Sequence, residues 1–230
     1  MTSPLTQSLH DLKRRTILAA ARAAFTEHGF ASTSVDAIAR TAGVGKGTIY
    51  DAFASKEELL LACCLESCAE DQAGIQAAGG ARWPGFPAAL ATAVAGGEPD
   101  LGDLADPLGF ARGLLLDGLL ALLRRPGIEG RMFLDLVAAT SHDPRAQGEV
   151  RAVIDRMLAV WERLIAALLT AARRQGRIRP GIDPAGQARL LLIAFDGLLL
   201  QHAWGRFADP EAEAARLVDA FFQPLEVPAP

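Results

Sequence analysis

Apolar and small positions recur with a helical period along nearly the whole chain, and almost nowhere do they alternate as a strand requires. From Asp11 to His28 the set Ile17, Ala20, Ala21, Ala24 and Phe25 marks one buried stripe of a first helix, preceded by a short, poorly ordered arm over residues 1–10. Gly29 is a natural C-terminus, with Phe30 packing back on the preceding turn. Thr33-Ser34-Val35-Asp36 offers a capping hydroxyl with an acid three residues later, and so opens a second helix whose Val35, Ile38 and Ala39 face the first. Gly43 then stands where that helix must stop and turn. Val44 and Ile49 supply apolar anchors beneath a short third helix, leaving Lys46, Thr48 and Tyr50 to point outward. Ser55 and Glu58 form another capping box, from which a long apolar helix runs toward Gln76, with Phe53 filling the gap beside it.

Between Gly79 and Gly102 the pattern breaks into Gly and Pro punctuation, with room for one short helix between Pro87 and Val94. Helical patterns resume at about 107–125, 128–141, 144–175, 184–204 and 210–222. On the two long carboxy-terminal helices, Val153, Met157, Val160, Trp161, Leu164 and Leu168 share one face of the first. Leu191, Leu192, Phe195, Leu198, Leu199 and His202 share a face of the second. Either stripe suits a core, and Gly197 permits close helix approach.

Composition agrees with an all-α fold: half of the 230 residues are apolar, Ala and Leu abound, and there is one Tyr. Met1 to Arg15 is polar with no apolar stretch of a secretory signal behind it, and the longest apolar runs fall short of a membrane span. The expectation is a cytoplasmic protein with no membrane partner. The net charge of −4 is unevenly spread: residues 1–62 carry seven basic against six acidic side chains, the remainder sixteen against twenty-one, and every lysine lies in the first 56 positions. A small nucleic-acid-reading module on an acidic body accounts for that asymmetry.

The helix, turn and short helix over 37–50 have the helix-turn-helix layout, whose second helix enters the DNA major groove. With its flanks, the stretch from Arg15 to Leu60 resembles the amino-terminal domain of the TetR (tetracycline-repressor-like) family. The resemblance rests on Ile17-Leu18, Ala20-Ala21, Phe25, Gly29-Phe30, Thr33-Ser34-Val35, Ile38-Ala39, Ala42-Gly43-Val44, Lys46 to Tyr50, Phe53 and Ser55 to Leu59. Gly45 departs from it where a capping Ser is common, Ala52 where a His often precedes the Phe, and Asp51 sets a carboxylate near the presumed DNA face.

The resemblance implies a helix-turn-helix domain over 1–54 and a ligand-binding and dimerisation domain over 55–230. It implies a homodimeric, ligand-responsive repressor that binds a palindromic double-stranded operator. Thr33, Ser34, Gly45, Lys46, Gly47, Thr48, Tyr50 and Lys56 are the expected DNA-contacting residues. Lys46 and Tyr50 suit phosphate, and Thr48 suits a thymine methyl or a base edge. A small-molecule effector pocket is expected among Cys64, Cys68, Met132, Phe133, Trp161 and Phe195, although core packing explains the aromatic members equally well. The expected dimer interface comprises Val153, Met157, Val160, Leu164, Leu191, Phe195, Leu198 and His202.

Cys63, Cys64 and Cys68 are the only cysteines, with no ligand-spaced partner for a metal, so they read first as small buried hydrophobes. Control by thiol oxidation or by a protein partner is the alternative within the same class. The four histidines are dispersed and accompany no nucleophile motif or phosphate loop. The sequence therefore predicts no enzyme, no metal and no cofactor; an enzyme carrying an HTH-like packing unit is the rival from another class.

Overall fold

The computed structural model describes residues 4–124, 135–136, 138–140 and 144–227, with side chains described except at 4–9, 68, 71, 144–146 and 149. Among them the regular elements are all α-helical, apart from one isolated antiparallel bridge between Ile178 and Glu226. The chain forms two compact units, one from Met1–Ala69 and Gly127–Val150, the other from Glu70–Pro126 and Arg151–Pro230. The boundary expected at 54/55 marks the start of a helix; the units divide further along that helix, whose first half belongs with the amino-terminal unit.

The first unit holds α1 (Pro4–His28), α2 (Val35–Ala42), α3 (Lys46–Ala52) and the beginning of α4 (Lys56–Arg82). α1 starts at Pro4, ahead of the expected Asp11, because proline suits a first helical turn and no breaker follows before Asp11. Its Ile17, Leu18, Ala21 and Phe25 are buried together with Ile38 and Ala39 of α2, Ile49 of α3, and Leu59, Leu60 and Cys63 of α4. α1 packs on α2, and α2 on α3. Ser55 accepts from Glu58 N–H at 3.1 Å while the Glu58 carboxylate accepts from Ala54 N–H at 2.6 Å, so a reciprocal box fixes the start of α4.

The second unit contains the rest of α4, then α5 (Phe86–Val94), α6 (Pro107–Leu123), most of α7 (Pro144–Arg174), α8 (Pro184–Ala203) and α9 (Pro210–Phe222). α4 continues to Arg82 through Gly79-Gly80, where a break was expected from the glycines. A side chain at Gly79 would collide with the Phe86 ring; the glycine is there for that close approach, and the helix tolerates it. In three helices the Asp of a starting Asp-Pro pair is seen to cap the first turn. Asp106 accepts from Gly109 N–H at 3.0 Å, Asp183 from Ala185 and Gly186 N–H at 3.1 and 3.0 Å, and Asp209 from Ala212 N–H at 2.9 Å. The helix expected over 128–141 is seen only in part, with 135–136 and 138–140 helical.

The body's main core gathers Phe86, Leu90, Phe110, Leu114, Leu164, Leu168, Leu191, Val218 and Phe222. A smaller cluster of Leu119, Leu123, Leu198 and Ala214 adjoins α6, α8 and α9. Each fully buried Leu or Phe contributes about 1.5–3 kcal/mol of transfer free energy, so these clusters dominate the body's stability.

Candidate nucleic-acid interface

The turn between α2 and α3 is set by backbone geometry. Gly43 takes φ 66° and ψ 29°, and its N–H donates to Arg40 O at 3.2 Å while Val44 N–H donates to Ala39 O at 3.0 Å. α2 is thus closed before α3 begins. Gly45 caps α3 in an extended conformation without a side-chain hydrogen bond. With Ile49 only 1% exposed as the inward anchor, helical geometry turns Lys46, Gly47 and Tyr50 to solvent, with Thr48 half-buried. Nothing lies within 4 Å of where a Gly47 side chain would begin, so this face of α3 is open.

The head of α3 carries an ion pair absent from the sequence expectation. Lys46 Nζ donates to Asp36 Oδ2 of α2 at 2.9 Å, and both side chains are about half exposed. That hydrogen bond, reinforced by the carboxylate's charge, raises the Lys46 pKa above the ordinary lysine value. At the other end of α3, Arg14 Nη1 donates to Ala52 O at 3.3 Å, placing a cation at the helix's carbonyl end, where the macrodipole favours it. Phe53 is 1% exposed and closes α3 through its N–H to Ile49 O at 2.9 Å.

Of the expected DNA-contacting set, Ser34, Gly45, Lys46, Gly47 and Tyr50 are exposed, and Thr48 is half-buried. Ser34 is the N-cap of α2, its hydroxyl accepting from Ala37 N–H at 3.2 Å. Two members have partners within the unit. Thr33 is 3% exposed, and its hydroxyl points at Gly29 O (2.8 Å) and Ala24 O (3.1 Å), tying off the end of α1. Lys56 turns its ammonium over the Phe30 ring, 4.2 Å from the centroid, and burial lowers its pKa. Phe30 N–H in turn donates to Asp135 Oδ2 at 3.0 Å. Thr33 is thus enclosed, and Lys56 is half-buried.

Three of the expected effector residues have described side chains, Cys64, Trp161 and Phe195. Met132 and Phe133 lie outside the described residues, as does the Cys68 side chain. Cys64 is half-buried in the first unit. In the body, Trp161 packs against the main core and Phe195 against the smaller cluster. Cys63 is fully buried, with its Sγ donating to Leu18 O at 3.7 Å, and burial pushes its thiol up to about 12. A protonated, enclosed thiol is a poor nucleophile. Among the described residues no group of His, Cys, Asp and Glu could hold a metal ion, and no helix is long and apolar enough to cross a membrane.

The expected dimer set divides. Leu164, Leu191 and Leu198 are buried in the body's own core. Val153, Val160, Phe195 and His202 are half-buried, and Met157 is exposed. The opposite stripe of α8 is the exposed one: Leu190 is 56% exposed and Ile193 61%, Gly197 has open space around it, and Trp204 just beyond the helix is 64% exposed. These positions follow the alternating three- and four-residue spacing of a helix–helix seam.

Two family models match the chain: "Bacterial regulatory proteins, tetR family" over residues 17–63, and "Tetracyclin repressor-like, C-terminal domain" over residues 114–218. The HTH-type transcriptional regulator YhgD of Bacillus subtilis is 49% identical over 47 residues, covering 20% of this chain and 25% of that protein. The HTH-type transcriptional regulator UidR of Escherichia coli is 26% identical over 214 residues, covering 92% of this chain and 88% of UidR. Among solved structures, NalD, the secondary repressor of the MexAB-OprM multidrug efflux pump in Pseudomonas aeruginosa, shares the fold. Its TM-score is 0.63 at 24% identity, over 94% of this chain and 96% of that one. SmeT, the repressor of the Stenotrophomonas maltophilia efflux pump SmeDEF, does so at a TM-score of 0.62 and 20% identity, over 93% and 90%. With both of its characteristic domains matched across more than half of the residues, and an open helix-turn-helix face at its amino-terminal end, the chain belongs to the TetR family of bacterial transcriptional regulators.

Proposed function

We propose that the protein is a ligand-responsive repressor that binds a roughly palindromic operator as a homodimer. The observation that carries this reading is the outward face of α3. Lys46, Gly47 and Tyr50 stand free of the core on a helix held from below by Ile49 and closed off from α2 by Gly43. A recognition helix presents its amino-terminal residues to base edges and leaves the flanking groups to phosphate. Tyr50 and Ser34 are the phosphate-side candidates here, and Thr48 the base-side one.

The second copy is assigned to the exposed stripe of α8, through Leu190, Ile193, Gly197 and Trp204, with Met157 of α7 alongside. Two-fold symmetry would then set two reading helices against half-sites about one DNA turn apart. A small effector bound in the body would act by favouring the conformation that fits the operator less well. That NalD and SmeT are described as repressors of efflux pumps supports repression as the sign of regulation. The thiol-oxidation alternative loses support at Cys63, whose buried thiol is held protonated.

Selection of bound duplexes from a genomic library tests the reading. The expected product is a palindromic motif whose binding weakens steeply with salt, and which Lys46→Ala and Tyr50→Ala both weaken while helicity is kept. Unchanged affinity in both variants would remove α3 as the reading helix.

A further inference from the structure

Lys46 is the first residue of α3, the end of a recognition helix that comes closest to base edges. Left alone, its four-carbon stem would let the ammonium swing to any nearby phosphate. It is not left alone: Asp36, in the first turn of α2, accepts a hydrogen bond from the ammonium at 2.9 Å. An ammonium has three protons, so two remain for an acceptor in front of it. Paired in this way, Lys46 and Asp36 are together neutral. A phosphate approaching Lys46 also meets the Asp36 carboxylate, whereas an uncharged acceptor on a base edge meets less repulsion. Gly47 adds no side chain to block the approach.

We propose that Asp36 is a specificity-determining positioning residue, which holds the Lys46 ammonium off the phosphate backbone and directs its two remaining protons to a base-edge acceptor in the major groove. The inference rests on the DNA-reading role of α3 and gives Lys46 a different duty within it, base readout in place of phosphate contact. The acceptor that fits is the O6 and N7 pair of a guanine, the usual partner of a lysine in direct readout. Asp36 itself touches no base; it acts through Lys46.

The test compares wild type, Asp36→Asn, Asp36→Glu, Lys46→Gln and the double variant that joins Asp36→Asn to Lys46→Gln. Each is used to select sites from a randomised duplex pool, and each is titrated against a mixed-sequence duplex at several salt concentrations. Wild type should select a motif with a guanine preference at one position of each half-site. Asp36→Asn should lose that preference by on the order of tenfold while keeping the rest of the motif. Its binding to mixed-sequence DNA should steepen in log K against log salt by about 0.9 per protomer, as Lys46 moves to phosphate. Asp36→Glu, which keeps a carboxylate, should restore most of the preference, and circular dichroism should report the same helicity in all five proteins.

The proposal is overturned if Asp36→Asn selects the same motif as wild type. It is also overturned if Asp36→Asn steepens the salt slope equally in the Lys46→Gln background, because Asp36 would then act as a general repelling charge and not through Lys46. A wild-type protein that selects no motif and shows no salt-dependent binding overturns both this proposal and the DNA-reading assignment. A motif that persists without the guanine preference overturns this proposal alone.

Discussion

The guanidinium of Arg14 lies over the ring of Phe53, 4.4 Å from its centroid. The same side chain reaches the carbonyl of Ala52, so one residue of α1 holds both the last turn of α3 and the aromatic plug behind it. α3 is seven residues long, begins at a glycine without a capping side chain, and contains a second glycine that costs about 1 kcal/mol of helix propensity. Such a helix depends on its tertiary contacts. Arg14→Ala should lower the thermal stability of the first unit by about 1 kcal/mol and weaken DNA binding. Arg14→Lys, which keeps the cation without the planar fork, should recover part of both. Thermal melts followed by salt-dependent binding would check this.

Gly43→Ala probes the turn directly. The left-handed conformation costs an L-residue roughly 1–2 kcal/mol, and the space around the position is open, so the loss should come from the backbone alone. Gly43→Asn should cost less, because Asn tolerates that region better. Chemical denaturation of the two variants side by side would rank them.

A charge placed on the exposed stripe of α8 should separate the copies. Ile193→Asp is expected to leave the body folded, because Ile193 contributes nothing to its core, and to give a 24.3 kDa species in sedimentation at micromolar concentration. Leu191→Asp makes the contrast. Buried in the main core, it should unfold the body in place of dissociating it.

The Cys63 thiol predicts an alkaline weakness. Its folded pKa is raised above the ordinary 9.0 to about 12, first by burial and then by Glu66. Between those values the folded protein holds a proton that the unfolded chain releases. The contribution to stability is therefore complete below about pH 9 and is lost as pH rises toward about 12. Denaturation midpoints should fall across that window, and fall less in Cys63→Ala. At neutral pH, alkylating reagents should modify Cys63 only after unfolding.

Local chemistry was legible in the sequence because its partners are near one another along the chain. Gly43 at the turn, Ile49 as the anchor and the Ser55–Glu58 cap all act within a few residues. The pairings that shape the reading face were not. Asp36 and Lys46 are ten residues apart on different helices, and Arg14 and Ala52 are 38 apart, so no periodicity links them. Thr33 shows the same limit from the other side. A hydroxyl before a helix suggests a cap or a phosphate contact, yet here Ser34 takes the cap and Thr33 is buried. On α8 both stripes are apolar, and hydrophobic period alone does not tell the stripe facing the core from the one facing solvent. Leu191 and Leu198 went inward, leaving Leu190 and Ile193 outside.

The inward turn of Lys56 onto Phe30 has a practical consequence. Lys13, Lys46 and Lys56 are the only lysines in the chain, and all three sit in the amino-terminal unit in different surroundings: exposed, ion-paired, and laid against an aromatic ring. An amine-acylating reagent is therefore a ready-made footprinting probe for this unit. The Asp36 hydrogen bond holds the Lys46 ammonium protonated, so Lys46 should be the slow site. Lys56, whose ammonium burial makes easier to deprotonate, should react faster and serve as the internal standard against which further protection of Lys46 by a bound duplex can be read from mass alone.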